Sequence, residues 1–205
     1  MKLTHTASRL LAGAVLIATS TAFAQEAPAP TRLRGEITAV DANTVTIKRK
    51  GSGDVLKIAL KSDVNVGAVK NIKLADIKQG AFIGTATETG ADGKLTALEV
   101  VVFPEAARGT GEGHYAWDLM PGSMMTNANV DTVASGVKGR VLTLSYKGGS
   151  KEVTVPDNTP VVTFAPAMRA ALIVGKKVFV VATGSSSSYT ATRIVVEKDG
   201  VAPPM

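Results

Sequence analysis

The chain has 205 residues, with 23 lysines and arginines against 17 aspartates and glutamates, and no cysteine. The missing thiols exclude disulfides, a lipid-bearing cleavage-site cysteine and thiolate metal ligands. A charge excess this mild and mixed excludes the strongly basic footprint of a nucleic-acid or membrane-surface protein.

The chain opens on a leader pattern. Lys2 and Arg9 precede the apolar run LLAGAVLIA (10–18), and TSTAFA follows, with Ala22 and Ala24 in the small-residue spacing that a signal peptidase accepts. The run is far shorter than the ~20 apolar residues a spanning helix needs. It predicts a signal peptide over 1–24, cleavage after Ala24, no membrane span, and a periplasmic or secreted mature chain. EAPAPT (26–31) then reads as a proline-rich arm, giving a disordered segment over 25–31.

Beyond the arm the text alternates with period two, the signature of strands with one wet face. TVTIKRK sets Val45 and Ile47 on one face and Thr46, Lys48 and Lys50 on the other. VLKIALK does the same with Leu56, Ile58 and Leu60 against Lys57 and Lys61. DAN (41–43) and GSGD (51–54) are turn clusters, and KLTALEVVVF (94–103) closes the first half as a long strand.

The second half repeats the first. KIALKSDVNV (57–66) matches EVTVPDNTPV (152–161), and IKQGAFIGTATETG (77–90) matches LIVGKKVFVVATGS (172–185), with Gly80 facing Gly175. TALEVVV (96–102) matches ATRIVVE (191–197). Each copy reads as three strands, a short helical or turn segment (NIKLADIKQG or APAMRAALIVG), and two more strands. That is the order of the OB fold, whose closure removes exposed sheet edges. A β-sandwich built from the same strands is the alternative. Without disulfides the mature chain must be held by burial, which one core of ~70–80 residues does only marginally, so two packed units are expected. The expected architecture is all-β. It comprises a first OB-like barrel over 32–103, an ordered connector over 104–128, a second OB-like barrel over 129–199, and a tail over 200–205.

GEITAVDANTVTIKRKG, LADIKQGAFIGT and the intervening RGTGEGHYAWDLMPGSMMTNANV together resemble a family of secreted bacterial proteins of unknown function with tandem small β-barrels. The resemblance spans nearly the whole mature chain. It implies the fold and the compartment, and no mechanism.

The connector is the chemically unusual part. The only tryptophan of the chain, Trp117, lies three residues from His114, the sole histidine after the leader, and Met120, Met124 and Met125 follow. A long connection this rich in apolar side chains is expected to be ordered, with Trp117 and Leu119 packed between the barrels as a staple. A second reading is a copper site, with His114 as the imidazole, Glu112 and Asp118 as carboxylates, and Met120, Met124 and Met125 as thioethers suited to Cu(I). One histidine is meagre for Cu(II) or Zn(II), which take three or four protein ligands. His114, Asp118 and Ser123 hold the letters of a triad, but Ser123 lacks the nucleophile-elbow context. The lysines at 48, 50, 57 and 61 lack the aromatic platforms of a single-strand binder, since only Phe82 and Phe103 lie on strands nearby. Arg108, Tyr115 and Trp117 are the residue types that dominate binding hot spots. Tyr146, Phe179, and Tyr189 beside the GSSSS loop (184–188) are a secondary set. The sequence therefore points to an exported, non-enzymatic binding or structural protein of the cell envelope, its working surface on residues 108–125. The partner class is an envelope protein or a small ligand rather than nucleic acid. The alternative is a periplasmic copper protein using His114, Asp118, Met120, Met124 and Met125.

Overall fold

The computed structural model describes residues 30–136, 139–185 and 188–204. The leader, its cleavage site, most of the proline-rich arm and the centre of the GSSSS loop lie outside those residues. The described chain is all-β. In order, its strands are β1 (Thr31–Val40), β2 (Thr44–Arg49), β3 (Val55–Asn71), β4 (Phe82–Thr89), β5 (Leu95–Val102) and β6 (Gly113–Ala116). They continue with β7 (Met124–Gly136), β8 (Gly139–Tyr146), β9 (Gly149–Val155), β10 (Val161–Pro166), β11 (Lys177–Thr183) and β12 (Tyr189–Val196). The two segments left open between helix and turn are single 3-10 turns at Leu74–Asp76 and Arg169–Ala171. Gly80 and Gly175 follow them with φ of 82° and 87°, a left-handed geometry that glycine adopts without a Cβ penalty.

β1, β2 and β3 form an antiparallel meander. The circuit is completed by strands from the far end of the chain: β12 runs parallel to β3, β11 antiparallel to β12, and β11 pairs with β1 from Thr31↔Ala182 to Glu36↔Lys177. The result is a five-stranded barrel. β7, β8 and β9 form a second meander, and it is β5 and β4 of the first half that complete its circuit, β5 parallel to β9 and β4 antiparallel to β7. The two copies thus exchange their last two strands. The stretches 32–103 and 129–199, expected as separate barrels, each complete their circuit with strands from the other half.

A long third strand makes the exchange possible. β3 has 17 residues, which at about 3.3 Å each carry the chain out of its own barrel. Its last stretch, Gly67–Asn71, pairs antiparallel with β10. The second copy places Pro156 and Pro160 in the equivalent run. Proline has no N–H for the ladder, so the run splits into β9 and β10. β10 then pairs parallel with β5 as the end of β3 does with β12.

Strand bulges recur at matching places, between Ile37/Ala39 and Val130/Thr132 and between Ala86/Thr87 and Val181/Ala182. Each adds local bend and twist, which closing a small barrel demands. Three apolar clusters fill the protein. Leu33, Ile37, Ile47 and Ile58 pack with Val180 and Ile194 in the first barrel. Ile83 and Val100 pack with Val130, Leu142, Leu144 and Val153 in the second circuit. Between them Val69, Val101, Val162, Phe179 and Val195 form a junction cluster, with Trp117 and Phe164 packed against it.

The connector is more regular than its sequence suggests. β6 pairs with the beginning of β7, Gly113↔Asn127 through Ala116↔Met124. The second copy therefore starts at Met124 rather than after residue 128. This pairing joins a glycine-flanked strand to a polar one, which no apolar alternation announces.

Candidate functional site

The connector is fastened along its whole length. Arg108 donates to both carboxylate oxygens of Glu105, at 2.6 and 2.7 Å, to Gly80 O at 2.9 Å, and to Asn129 Oδ1. Glu112 accepts the Lys147 backbone N–H at 2.9 Å. Asn127, nearly buried, donates from Nδ2 to Thr110 O and to the Tyr115 hydroxyl, each at 3.1 Å. Loop 117–123 is closed by Ser123, whose Oγ lies 2.8 Å from Met120 O and 3.0 Å from Trp117 O, while Trp117 N–H donates to Ser123 O at 2.8 Å.

These ties aim Trp117 at the junction. One side of its ring packs on the junction cluster, and the Arg32 guanidinium lies 4.2 Å from the ring centroid, a cation–π geometry. Tyr115 meets the indole edge-on at 6.2 Å, and burial raises its hydroxyl pKa against the opposing influence of Arg32. Asp118 accepts from Arg34 Nη2 at 2.9 Å. The Trp117 Nε1 and the Arg34 Nε are both enclosed without a hydrogen-bond partner. Leu119 is partly buried. Of the three residues expected to form a partner surface, Tyr115 and Trp117 are brought together and are each partly buried. Arg108 instead spends its donors on Glu105, Gly80 and Asn129.

Residues expected to share a copper ion are dispersed. His114 sits opposite Thr126, with Nδ1 2.9 Å from Thr126 Oγ1, and its ring stacks on Tyr146 at 6.4 Å. Directly paired residues of antiparallel strands share a face, so Met124, opposite Ala116, lies on the His114 side. Met125, opposite Tyr115, lies on the other side and is buried. Asp118 is held by Arg34, and Met120 is exposed. No group of three or more histidine or carboxylate side chains suited to a metal occurs among the described residues. Burial, and then Lys151 nearby, lower the His114 pKa. The letters of a triad do not assemble either: His114 engages Thr126, while the Ser123 hydroxyl is turned to loop carbonyls.

Behind the junction lies a feature that sequence reasoning missed. Glu99 on β5 is only 3% exposed, and its Oε1 has no partner. Burial drives its pKa from 4.5 up to about 7, against the attraction of Arg34 and Lys50. In β5 it follows a bulge, since Ala97 pairs with Thr87 and Glu99 with Ala86. Arg193 occupies the matching place in β12, after the bulge between Ala191 and Arg193. Its Nε is likewise unpartnered, its pKa is lowered by burial, and its guanidinium lies 4.5 Å over Phe164. The one signal available in the sequence is a lone acid, and a lone base, in otherwise apolar closing strands.

No family model, no curated protein and no solved structure matches this chain.

Proposed function

We propose that this is an exported, non-enzymatic binding or structural protein of the cell envelope, built from two OB-like barrels, with residues 108–125 as its working surface. The strand circuit supports the OB-like reading. In each circuit the third strand of the meander runs parallel to the last strand and every other neighbour is antiparallel, the closed order of that small barrel. The leader pattern and the resemblance to secreted tandem-barrel proteins support export.

One observation carries the binding role. Trp117 and Tyr115, beside Arg32, are partly exposed on a connector whose own contacts hold it in place. A rigid aromatic platform with a neighbouring guanidinium costs little entropy to present and is the composition of an interface anchor. The test is site-specific photocrosslinking in cells, with a benzophenone amino acid at Tyr115 and, as control, at exposed Lys61 on the barrel wall. A discrete adduct from position 115 and none from 61 is the expected result. No adduct from 115, or the same adducts from both, rules the surface out.

A further inference from the structure

A cleft of about 680 Å³ opens where β1 and β2 face the start of β11 and the C-terminal segment, a volume within the usual range for small-molecule sites. Strand register sets its charge. Glu36 is paired with Lys48 on one side and Lys177 on the other, and Lys50 N–H bonds to Arg34 O one step along. Alternation turns Leu33 and Ile37 into the barrel core, so Arg34 and Glu36 point outward into the cleft with Lys48, Lys50 and Lys177. Five cations, Arg49 among them, therefore line the cleft with one carboxylate, and Asp54 pairs with Arg49.

Among the described residues, Lys48, Lys50 and Lys177 have no ion-pair partner, unlike Arg34, which Asp118 holds. Buried Glu99 lies within electrostatic reach of Arg34 and Lys50, and burial favours its neutral form, which weakens its opposition to those cations on the acid side of neutrality. The remaining lining is apolar: Pro160, Val178, Ala202, Pro203 and Pro204. A tight turn bridges Lys198 and Val201, and Val201 packs against the junction cluster just before that last segment. A cleft lined by both unpaired cations and proline-rich apolar surface is complementary to a single kind of molecule.

We propose that this cleft binds an amphiphilic organic anion, one bearing phosphate or carboxylate groups on an apolar body. Lys48, Lys50 and Lys177 neutralise its charge, and residues 202–204 cover its apolar part. The site's anion ligands, Lys48, Lys50 and Lys177, lie off the connector, which the cleft meets only through the Arg34–Asp118 pair, and the proposal does not depend on the connector having a partner.

The experiment is calorimetric titration of the mature chain with 1-naphthyl phosphate and, separately, with pyrophosphate, plus sedimentation with phosphatidylglycerol vesicles against phosphatidylcholine ones. Two variants are compared with the parent. One is the triple substitution Lys48→Gln, Lys50→Gln, Lys177→Gln, all at exposed positions, with its melting curve as a folding control; the other is the chain ended at Val201. The expected result is saturable 1:1 binding of naphthyl phosphate, weakened at least tenfold in the triple variant and severalfold in the shortened chain. Pyrophosphate binding is expected to be weaker and insensitive to the shortening. Vesicle binding that the triple variant loses, without binding of the soluble probes, also supports the site and assigns its anion to a lipid headgroup. Absence of saturable binding to every probe overturns the proposal, as does binding that survives unchanged in a correctly folded triple variant.

Discussion

Replacing Glu99 with glutamine is expected to stabilise the protein at pH 8 and to leave it nearly unchanged at pH 5. The carboxyl is 3% exposed, with an unpartnered oxygen, and its pKa is pushed from 4.5 to about 7 by burial. The folded state then binds the Glu99 proton more tightly than the unfolded state does. Stability is greatest below the unfolded value near 4.5, falls as pH rises toward about 7, and is level above that. A shift of that size corresponds to about 3 kcal/mol lost across the window. Glutamine has the shape of the neutral acid and no charge to bury, so it removes the loss. The assay is urea unfolding followed by Trp117 emission at both pH values. With a slope of about 2 kcal/mol/M, the variant's midpoint at pH 8 should exceed the parent's by about 1–1.5 M, shrinking to less than about 0.5 M at pH 5. A variant that is less stable than the parent at pH 8 refutes the reasoning, because Glu99 would then be a paired carboxylate rather than a stranded one.

Trp117→Ala removes the ring that bridges the connector to Val69, Val101 and Phe179, and should cost about 3 kcal/mol. A loss under about 1 kcal/mol in circular-dichroism melts contradicts the staple. A Cβ at Gly84 would lie 2.5 Å from Asn127 Oδ1 and 3.0 Å from Phe103 Cε2. Gly84→Ala should therefore destabilise by about 1–3 kcal/mol and loosen the Asn127 ties to Thr110 and Tyr115, which faster amide exchange in 110–116 detects. Micromolar Cu(II) or Cu(I) should leave Trp117 emission unchanged, because Met125 is on the face opposite His114 and Asp118 is held by Arg34, which leaves Met124 alone on the His114 side. Stoichiometric quenching that His114→Ala abolishes contradicts that expectation.

Much of the fold was legible because alternation and repetition are local. Alternation points Val45, Ile47, Leu56, Ile58 and Leu60 inward, and all are buried except Leu56, which is partly buried against the same cluster. Strand exchange was illegible for the same reason that the repeat was obvious: two similar copies offer β1 interchangeable partners in β4 and β11, and nothing in either strand's pattern records which was taken. The two prolines that split β9 from β10 were visible, but their bearing on topology depends on the length of β3. Trp117 could be singled out because it is unique in the chain. Glu99, Arg34 and Lys50 could not, because Glu99 is on β5, Arg34 on β1 and Lys50 just past β2, and they come within electrostatic reach only where the two circuits face each other. Met124 and Met125 look alike as letters, and the β6–β7 register alone sets them on opposite faces.

Exchange of the closing strands is the arrangement on which the junction, the Trp117 platform and the cleft all depend, and one cross-link tests it. In this cysteine-free chain, Glu36→Cys and Lys177→Cys place two thiols at directly opposed, exposed positions of β1 and β11. Opposed antiparallel residues have Cα atoms about 4.5–5.5 Å apart, within the range a disulfide bridges. Mild oxidation of the monomer should give a rapid intramolecular disulfide, read by intact mass and by the shifted mobility of the looped chain. A monomer whose two thiols stay free under those conditions would mean that the first three strands close with β4 and β5 of their own half.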